Sequence, residues 1–221
     1  MIVAIVPAFN EEKRIGSVVR SLFSHVDTVV VVNDASTDNT EQIAQECGAT
    51  VLTHATNRGQ GAALETGHVF ARQCGAEYVL HFDGDGQFDV QDIVPALKKI
   101  QEARADILFG SRYLDNRSTS VPWFKRYILR PCATYIIDRP FTGLPLSDAH
   151  NGFRILHKKA LDKIYISQDG MAHATEIPFL VRKHNLSFVE FPVKVTYYSY
   201  GQSATAGMTI IKDLFFGKFL K

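Results

Sequence analysis

Short runs of apolar, largely β-branched residues recur through the first half of the chain, each followed by helical spacing. Residues 2–6, 28–32, 50–54, 78–82 and 106–109 read as buried strands. Ile15, Val18, Val19 and Leu22 mark a helix over residues 11–23. Another runs to Cys47 and stops before Gly48; a third opens at Asn57-Arg58-Gly59-Gln60-Gly61 and continues through Cys74; a fourth covers residues 90–103. Strands alternating with helices over short connections imply a parallel sheet covered by helices. Such sheets bind ligands beyond the carboxyl ends of their strands. The loop opened by Pro7, which is expected to end the first strand, lies at such an end. So do Asn33-Asp34, Asp83-Gly84-Asp85 and Gly110-Ser111-Arg112.

The stretch V-L-H-F-D-G-D-G-Q-F-D, residues 79–89, carries the sharpest chemical signal. In extended backbone, residues two apart point to the same side, so Asp83 and Asp85 converge on one point. Two like charges held that close are costly without a cation between them. Hard Mg²⁺ or Mn²⁺ suits such oxygens and bridges carboxylates to phosphates. An acidic turn is the plain alternative. A calcium loop is excluded, because Phe88 stands where glycine is required and Val94 where glutamate is required.

Composition narrows the class. With 46% hydrophobic and 21% charged residues among 221, the chain has the material for one substantial core. A formal charge of +1 argues against a nucleic-acid-coating protein. Cys47, Cys74 and Cys132 share no metal-type spacing and read as reduced cytosolic thiols. No apolar run has the length of a membrane span, and residues 1–6 lack the basic leader of a signal peptide. The expectation is a cytoplasmic protein, at most peripheral at the membrane.

The second half reads differently. Residues 123–137 form an apolar and basic helix candidate, and a loop at 143–152 holds Asp148, His150 and Asn151. Helices are expected at 160–164 and 174–184, a strand at 187–196, and a loop at 197–207.

P-A-F-N-E-E (Pro7 to Glu12), V-V-N-D-A-S-T-D (Val31 to Asp38), D-G-D-G-Q (Asp83 to Gln87), G-S-R (Gly110 to Arg112) and D-A-H-N-G-F-R (Asp148 to Arg154) occur in that order. The set resembles the family 2 glycosyltransferases, and among them the dolichol- and polyprenyl-phosphate sugar synthases. The resemblance implies an α/β fold of the GT-A type, a single domain whose Rossmann-like, mostly parallel central sheet has helices on both faces. It would span residues 1–207, with a nucleotide-sugar-binding half at 1–112, an acceptor half at 113–207, and an amphipathic tail at 208–221. The implied reaction moves a sugar, with inversion, from a nucleotide-diphospho-sugar to an acceptor, polyprenyl phosphate or a glycan, using Mg²⁺ or Mn²⁺.

On this resemblance Pro7, Ala8, Glu11 and Asp34 line the base and ribose pocket. Capping of the next helix is the secondary reading of Asp34, which can do both, and Arg58 either contacts base or phosphate or is simply exposed. Asp85 is the direct metal ligand, with Asp83 beside it or nearer the ribose, and Gln87 holds the sugar or the metal's shell. Asp148 stands beside the acceptor; its loop departs from the family pattern D-x-x-S-G-F-R, with Asn151 in place of serine and His150 added. A phosphate acceptor, already ionised, would need Asp148 to orient rather than deprotonate. Arg112, Arg117, Arg126 and Arg130 supply guanidinium groups for a lipid phosphate or form a solvated basic face. Glu176 falls near the acceptor or in a salt bridge, and Gln202 and Ser203 lie in a loop that closes over diphosphate or is simply mobile. The tail either touches an anionic bilayer or packs on the domain. Related synthases often carry membrane helices beyond this point, so delivery to lipid would fall to the tail or a small membrane subunit. Nucleotidyltransferase and dinucleotide signatures are absent after the first strand.

Overall fold

A computed structural model describes residues 1–114 and 143–196. The chain runs β1 (Ile2–Ala8), α1 (Ile15–Leu22), β2 (Thr28–Asn33), α2 (Thr40–Glu46), β3 (Thr50–Thr53), α3 (Gln60–Gln73), β4 (Tyr78–His81), α4 (Ile93–Ala103) and β5 (Ile107–Ser111). After residue 142 come β6 (Arg154–His157), α5 (Lys158–Leu161), α6 (His173–Lys183) and β7 (Phe188–Pro192). All the described strands form one seven-stranded sheet in the order β3-β2-β1-β4-β6-β5-β7. The helix candidate at 123–137, Arg117, Arg126, Arg130, Gln202, Ser203 and the tail lie outside the described residues.

The alternation expected of the first half is present, with two informative changes. The first strand does not stop before Pro7 but continues to Ala8. Ile5 accepts from Phe82 N, so its ladder groups face β4, and Pro7, two residues on, faces the same way. The β1–β4 pairing already ends at Ile5 and His81, so the missing N–H of Pro7 interrupts nothing. The first helix begins at Ile15 rather than at residue 11, because Arg14 N and Ile15 N both bond back to the Glu11 carbonyl in a preceding turn.

The second half adds a strand the pattern did not announce. β6 inserts between β4 and β5 and runs antiparallel to both, while all other strand pairs are parallel. Its sequence, Arg-Ile-Leu-His, is too short to show a period and passes directly into α5. Because β6 runs backwards, its first residue, Arg154, lies level with His81 of β4 and Phe109 of β5. The loop before it, with Asp148, is thereby delivered to the edge where the parallel strands end.

Alternation along β1 divides the core. Ala4 and Val6 face one layer with Ile15, Val19 and Leu22 of α1, Ala44 of α2 and Ile93, Ala96 and Ile100 of α4. Val3 and Ile5 face the other, with Ala63, Leu64 and Ala71 of α3, Leu161 of α5 and Ile177 and Val181 of α6. Each Val, Leu or Ile among them contributes about 1.5–3 kcal/mol when fully buried. Gly67 fixes how closely α3 lies on β1, since any Cβ there would strike the Ile5 side chain. No helix among the described residues is long and apolar enough to cross a membrane.

Candidate active site

β1 is flanked by β2 on one side and β4 on the other, although β2 and β3 precede β4 in the chain. The order of the sheet therefore reverses at β1, and a crevice opens between the ends of β1 and β4. Gly84 lets the chain beyond β4 pass close to β1: a Cβ there would be 3.1 Å from the Pro7 carbonyl oxygen. Pro7, Ala8, Asp34, Asp83 and Asp85 are gathered around this point.

On the β1–β2 side, two loops are bonded to each other. Asn10 N donates to Ser36 Oγ, Thr37 N to Asn10 Oδ1, and Glu11 N to Thr40 Oγ1. The Glu11 carboxylate pairs with Arg14 at 3.1 Å. Asp34 is buried, and its carboxylate accepts from Arg58 N at 2.9 Å and Gly59 N at 2.6 Å. His54 Nδ1 lies 2.7 Å from the same group. Asp34 does not cap α2; the cap position is Asn39, which makes no side-chain cap bond, and Asp38 before it accepts from Thr40 N. Asp34 instead shapes the turn at 57–59, where Gly59 holds a φ of +102°. The Arg58 side chain turns away to an exposed pair with Asp169.

Across the crevice, Asp83 Oδ1 accepts from Gln60 Nε2 at 2.9 Å. Asp83 Oδ2 lies so near Gly152 that a Cβ on Gly152 would collide with it. Asp85 Oδ1 accepts from the backbone N of Gln87 at 3.0 Å, and the Gln87 carbonyl accepts from Thr196 N. Burial, and then the charge of Asp85, push the Asp83 carboxyl up to about 7. Burial also raises Asp85, against the lowering pull of its hydrogen bond to Gln87 and the Arg14 charge. Two crowded carboxylates with raised affinity for protons are what a hard divalent cation would relieve, and oxygen is the donor it prefers. Among the described residues no group of three or more His, Cys, Asp or Glu could hold a metal by itself. A cation on Asp83 and Asp85 would thus keep positions for water or a ligand's oxygens.

The loop before β6 completes the edge. Arg112 grips Asp148 through Nε to Oδ2 and Nη2 to Oδ1, both 2.7 Å, and its backbone N adds a bond at 3.1 Å. Ser111 Oγ lies 2.6 Å from Ser147 Oγ, and Ser147 donates to Glu190 on β7. Asn151 Nδ2 donates to Asp148 Oδ2, while its Oδ1 accepts from Phe153 N. Gly110-Ser111-Arg112 and the Asp148 loop, far apart in sequence, are one bonded unit. Glu176 is different: it is buried and accepts from Ser167 N and Gln168 N, so it anchors the segment before α6.

Several groups here were not singled out from sequence. Gln60 is the first residue of α3, and the G-Q-G spacing beside it was read only as a helix start. Arg154 is fully buried at 1% exposure and bonds the Ala149 carbonyl. His81 is buried beneath Asp83, with its Nε2 2.7 Å from His68 Nε2. β4 ends at His81, and residues 84 and 85 form a turn beyond it, so Asp83 and Asp85 are brought near each other by that turn and not by the strand alternation expected from sequence. Burial pushes His81 well below its ordinary value, helped by the charges of His68 and Arg154. It lowers His173 to about 4, with Arg154 adding to the effect.

Residues 3–165 match the model of the family described as Glycosyl transferase family 2. The chain belongs to this family. It is 34% identical over 219 residues to an uncharacterised protein of Methanocaldococcus jannaschii, covering 97% of this chain and 89% of that one. It is 27% identical to the UDP-N-acetylglucosamine–dolichyl-phosphate N-acetylglucosaminyltransferase of Methanococcus voltae, covering 98% of this chain and 94% of the relative. Glucosyl-3-phosphoglycerate synthase from Mycobacterium tuberculosis, solved with Mn²⁺, UDP-glucose and phosphoglyceric acid, shares the fold. Its TM-score is 0.71 at 21% identity, over 97% of this chain and 78% of that one. The fold is GT-A, a single domain on a mostly parallel sheet, and the family 2 chain is a glycosyltransferase.

Proposed function

We propose that this glycosyltransferase moves a sugar, with inversion, from a nucleotide-diphospho-sugar to polyprenyl phosphate at the cytoplasmic face of a membrane. The observation that carries the reading is the crowded pair Asp83 and Asp85 at the point where the sheet order reverses, with Asp83 bonded to Gln60 just after the turn that Asp34 shapes. Pro7, Ala8, Glu11, Asp34 and Arg58 form the nucleoside side. Asp85 and Asp83 hold Mg²⁺ or Mn²⁺, and Gln87 stands beside them. The metal supplies Lewis-acid stabilisation of the departing diphosphate. The Methanococcus voltae relative supports the acceptor class, since its name specifies a dolichyl phosphate.

In the transfer, an acceptor phosphate oxygen forms the new bond to the anomeric carbon as the bond from that carbon to the diphosphate oxygen breaks. A phosphate oxygen that is already ionised has no proton to lose, so no general base is required. Asp148, held by Arg112 on both oxygens, then serves to fix the acceptor side, and the Arg112 guanidinium lies beside it for a phosphate. Arg130, Glu176, Gln202 and Ser203 belong to the same reading as acceptor and diphosphate contacts. For Glu176 the bonds to Ser167 and Gln168 favour a supporting role.

The test is incubation of the full chain with Mg²⁺, labelled UDP-, GDP- and dTDP-sugars, and polyprenyl phosphate in mixed micelles. Label in the lipid phase with one donor is expected, and it should vanish for Asp85→Asn. Label passing only to a soluble glycan would move the acceptor to cell-envelope polysaccharide. Neither transfer nor slow donor hydrolysis would make the chain a binding protein and contradict the proposal.

A further inference from the structure

Arg154 is the one large cationic side chain among the fully buried residues, and it stands directly behind the crevice. Taking a guanidinium out of water is expensive unless carboxylates and hydrogen bonds compensate. Its register on β6 places it beside His81, on the face of the sheet that Asp83 shares. The charges that act on it are those of Asp83 and then Asp148. One hydrogen bond, from Nη2 to the Ala149 carbonyl at 3.2 Å, ties it to the acceptor-side loop, and its Nε has no hydrogen-bond partner among the described residues. His81 and His173, also near it, are held neutral, so neither competes for the carboxylates. The same loop presses on Asp83 through Gly152. One buried cation is thus bonded to the acceptor-side loop where that loop meets Asp83, and the charges of Asp83 and Asp148 both act on it.

We propose that Arg154 is a positioning residue: its buried guanidinium holds the Asp83 carboxylate and the 148–152 loop in one fixed arrangement, so that the donor-metal site is formed before ligand arrives. The inference rests on the reading of Asp83 and Asp85 as the metal–diphosphate site. Arg154 itself touches no substrate, since it is closed off from solvent.

A double-mutant cycle separates this role from one in folding alone. The readout is the Kd of Mn²⁺ together with whichever of UDP, GDP and dTDP binds the wild type most tightly. Arg154→Met should weaken binding about 10-fold or more, and Arg154→Lys, which keeps the charge, should recover most of that loss. In an Asp83→Asn background, Arg154→Met should change the Kd less than about 2-fold or tighten it, because no carboxylate remains to be held and a repelling charge is gone. An equal loss in both backgrounds, or no loss in either, overturns the inference. Should Arg154→Met fail to fold, Arg154→Gln carries the same cycle with the same criteria, and Arg154→Lys remains the charge-keeping control. A wild type that binds none of the three diphosphates with Mn²⁺ overturns the site reading itself, whereas binding with an additive cycle overturns only the role of Arg154.

Discussion

Arg112 and Asp148 form a two-pronged ion pair, with both contacts at 2.7 Å, that joins the end of β5 to the loop before β6. Asp148 is 6% exposed, so its oxygens take their hydrogen bonds from Arg112 and Asn151. Arg112→Ala would leave a buried carboxylate short of its partner and should cost about 1–3 kcal/mol by urea unfolding. Arg112→Lys keeps the charge but cannot reproduce the fork, so transfer should fall about 10-fold or more with a smaller loss of stability. The double variant Arg112→Ala/Asp148→Ala should be less destabilised than the sum of its singles. Additive losses would show that the pair has no energetic coupling.

Asp83 makes the stability of the metal-free protein depend on pH. Its folded value of about 7 lies above the ordinary carboxyl value of 3.8. The raised value favours the folded state below pH 3.8, and that contribution is lost as pH rises through about 7. Asp83→Asn removes this loss. It should therefore raise Tm relative to wild type at pH 8 by a few °C, on the order of 1 kcal/mol in a chain of this size, and much less at pH 4. Saturating Mn²⁺ with nucleoside diphosphate should raise the wild-type Tm at pH 8 and not that of the variant.

Gly152 gives a sharper spatial test. A Cβ at this position collides with Asp83 Oδ2, and its three nearest atoms all belong to the Asp83 carboxylate. Gly152→Ala should displace that carboxylate, weakening Mn²⁺–nucleotide binding about 10-fold while Tm changes by no more than a few °C, as for about 1 kcal/mol. Unchanged calorimetric affinity would mean that Asp83 is not needed where it stands.

The buried pair of His68 and His81 predicts an opposite pH limb. Burial lowers both histidines, so the folded protein holds them neutral. Their contribution is present above the ordinary value of 6.5 and is lost on acidification, as the unfolded chain takes up protons that the folded chain refuses. His68→Leu alone leaves His81 Nε2 unpaired and should cost about 1–3 kcal/mol. His68→Leu with His81→Phe should cost less than the single change and flatten the acid limb in thermal melts.

Much of the architecture was legible because periodicity and turn chemistry agree in the first half. The runs in β1, β2 and β4 are β-branched or apolar and end in polar clusters, and those clusters meet at one edge. β6 was not legible: four residues cannot show a period, and its place between β4 and β5 comes from long-range pairing. At the site, D-G-D named Asp83 and Asp85, since two carboxylates one glycine apart are close in any local conformation; the extended backbone expected there is a turn, because β4 stops at His81. The use of Asp34 depended on the distant turn at 57–59, and residue type alone left capping as a second reading. Arg112 and Asp148 were both singled out, but as separate contacts. That they hold each other follows from the Ser111–Ser147–Glu190 bonding that joins three distant segments. Gln60 left no mark in sequence spacing, because its partner is the distant Asp83; Arg154 closes the D-A-H-N-G-F-R motif, but nothing local shows that it is buried.

The most direct test of the account is titration calorimetry of the full chain with UDP and GDP, in Mn²⁺ and again in EDTA, for wild type and Asp85→Asn. The account predicts that one diphosphate binds wild type with Mn²⁺, and that EDTA or Asp85→Asn weakens it at least about 10-fold, the effect of losing a charged partner worth about 1.5–3 kcal/mol. Equal affinity with and without metal, or in the Asp85→Asn variant, would contradict it.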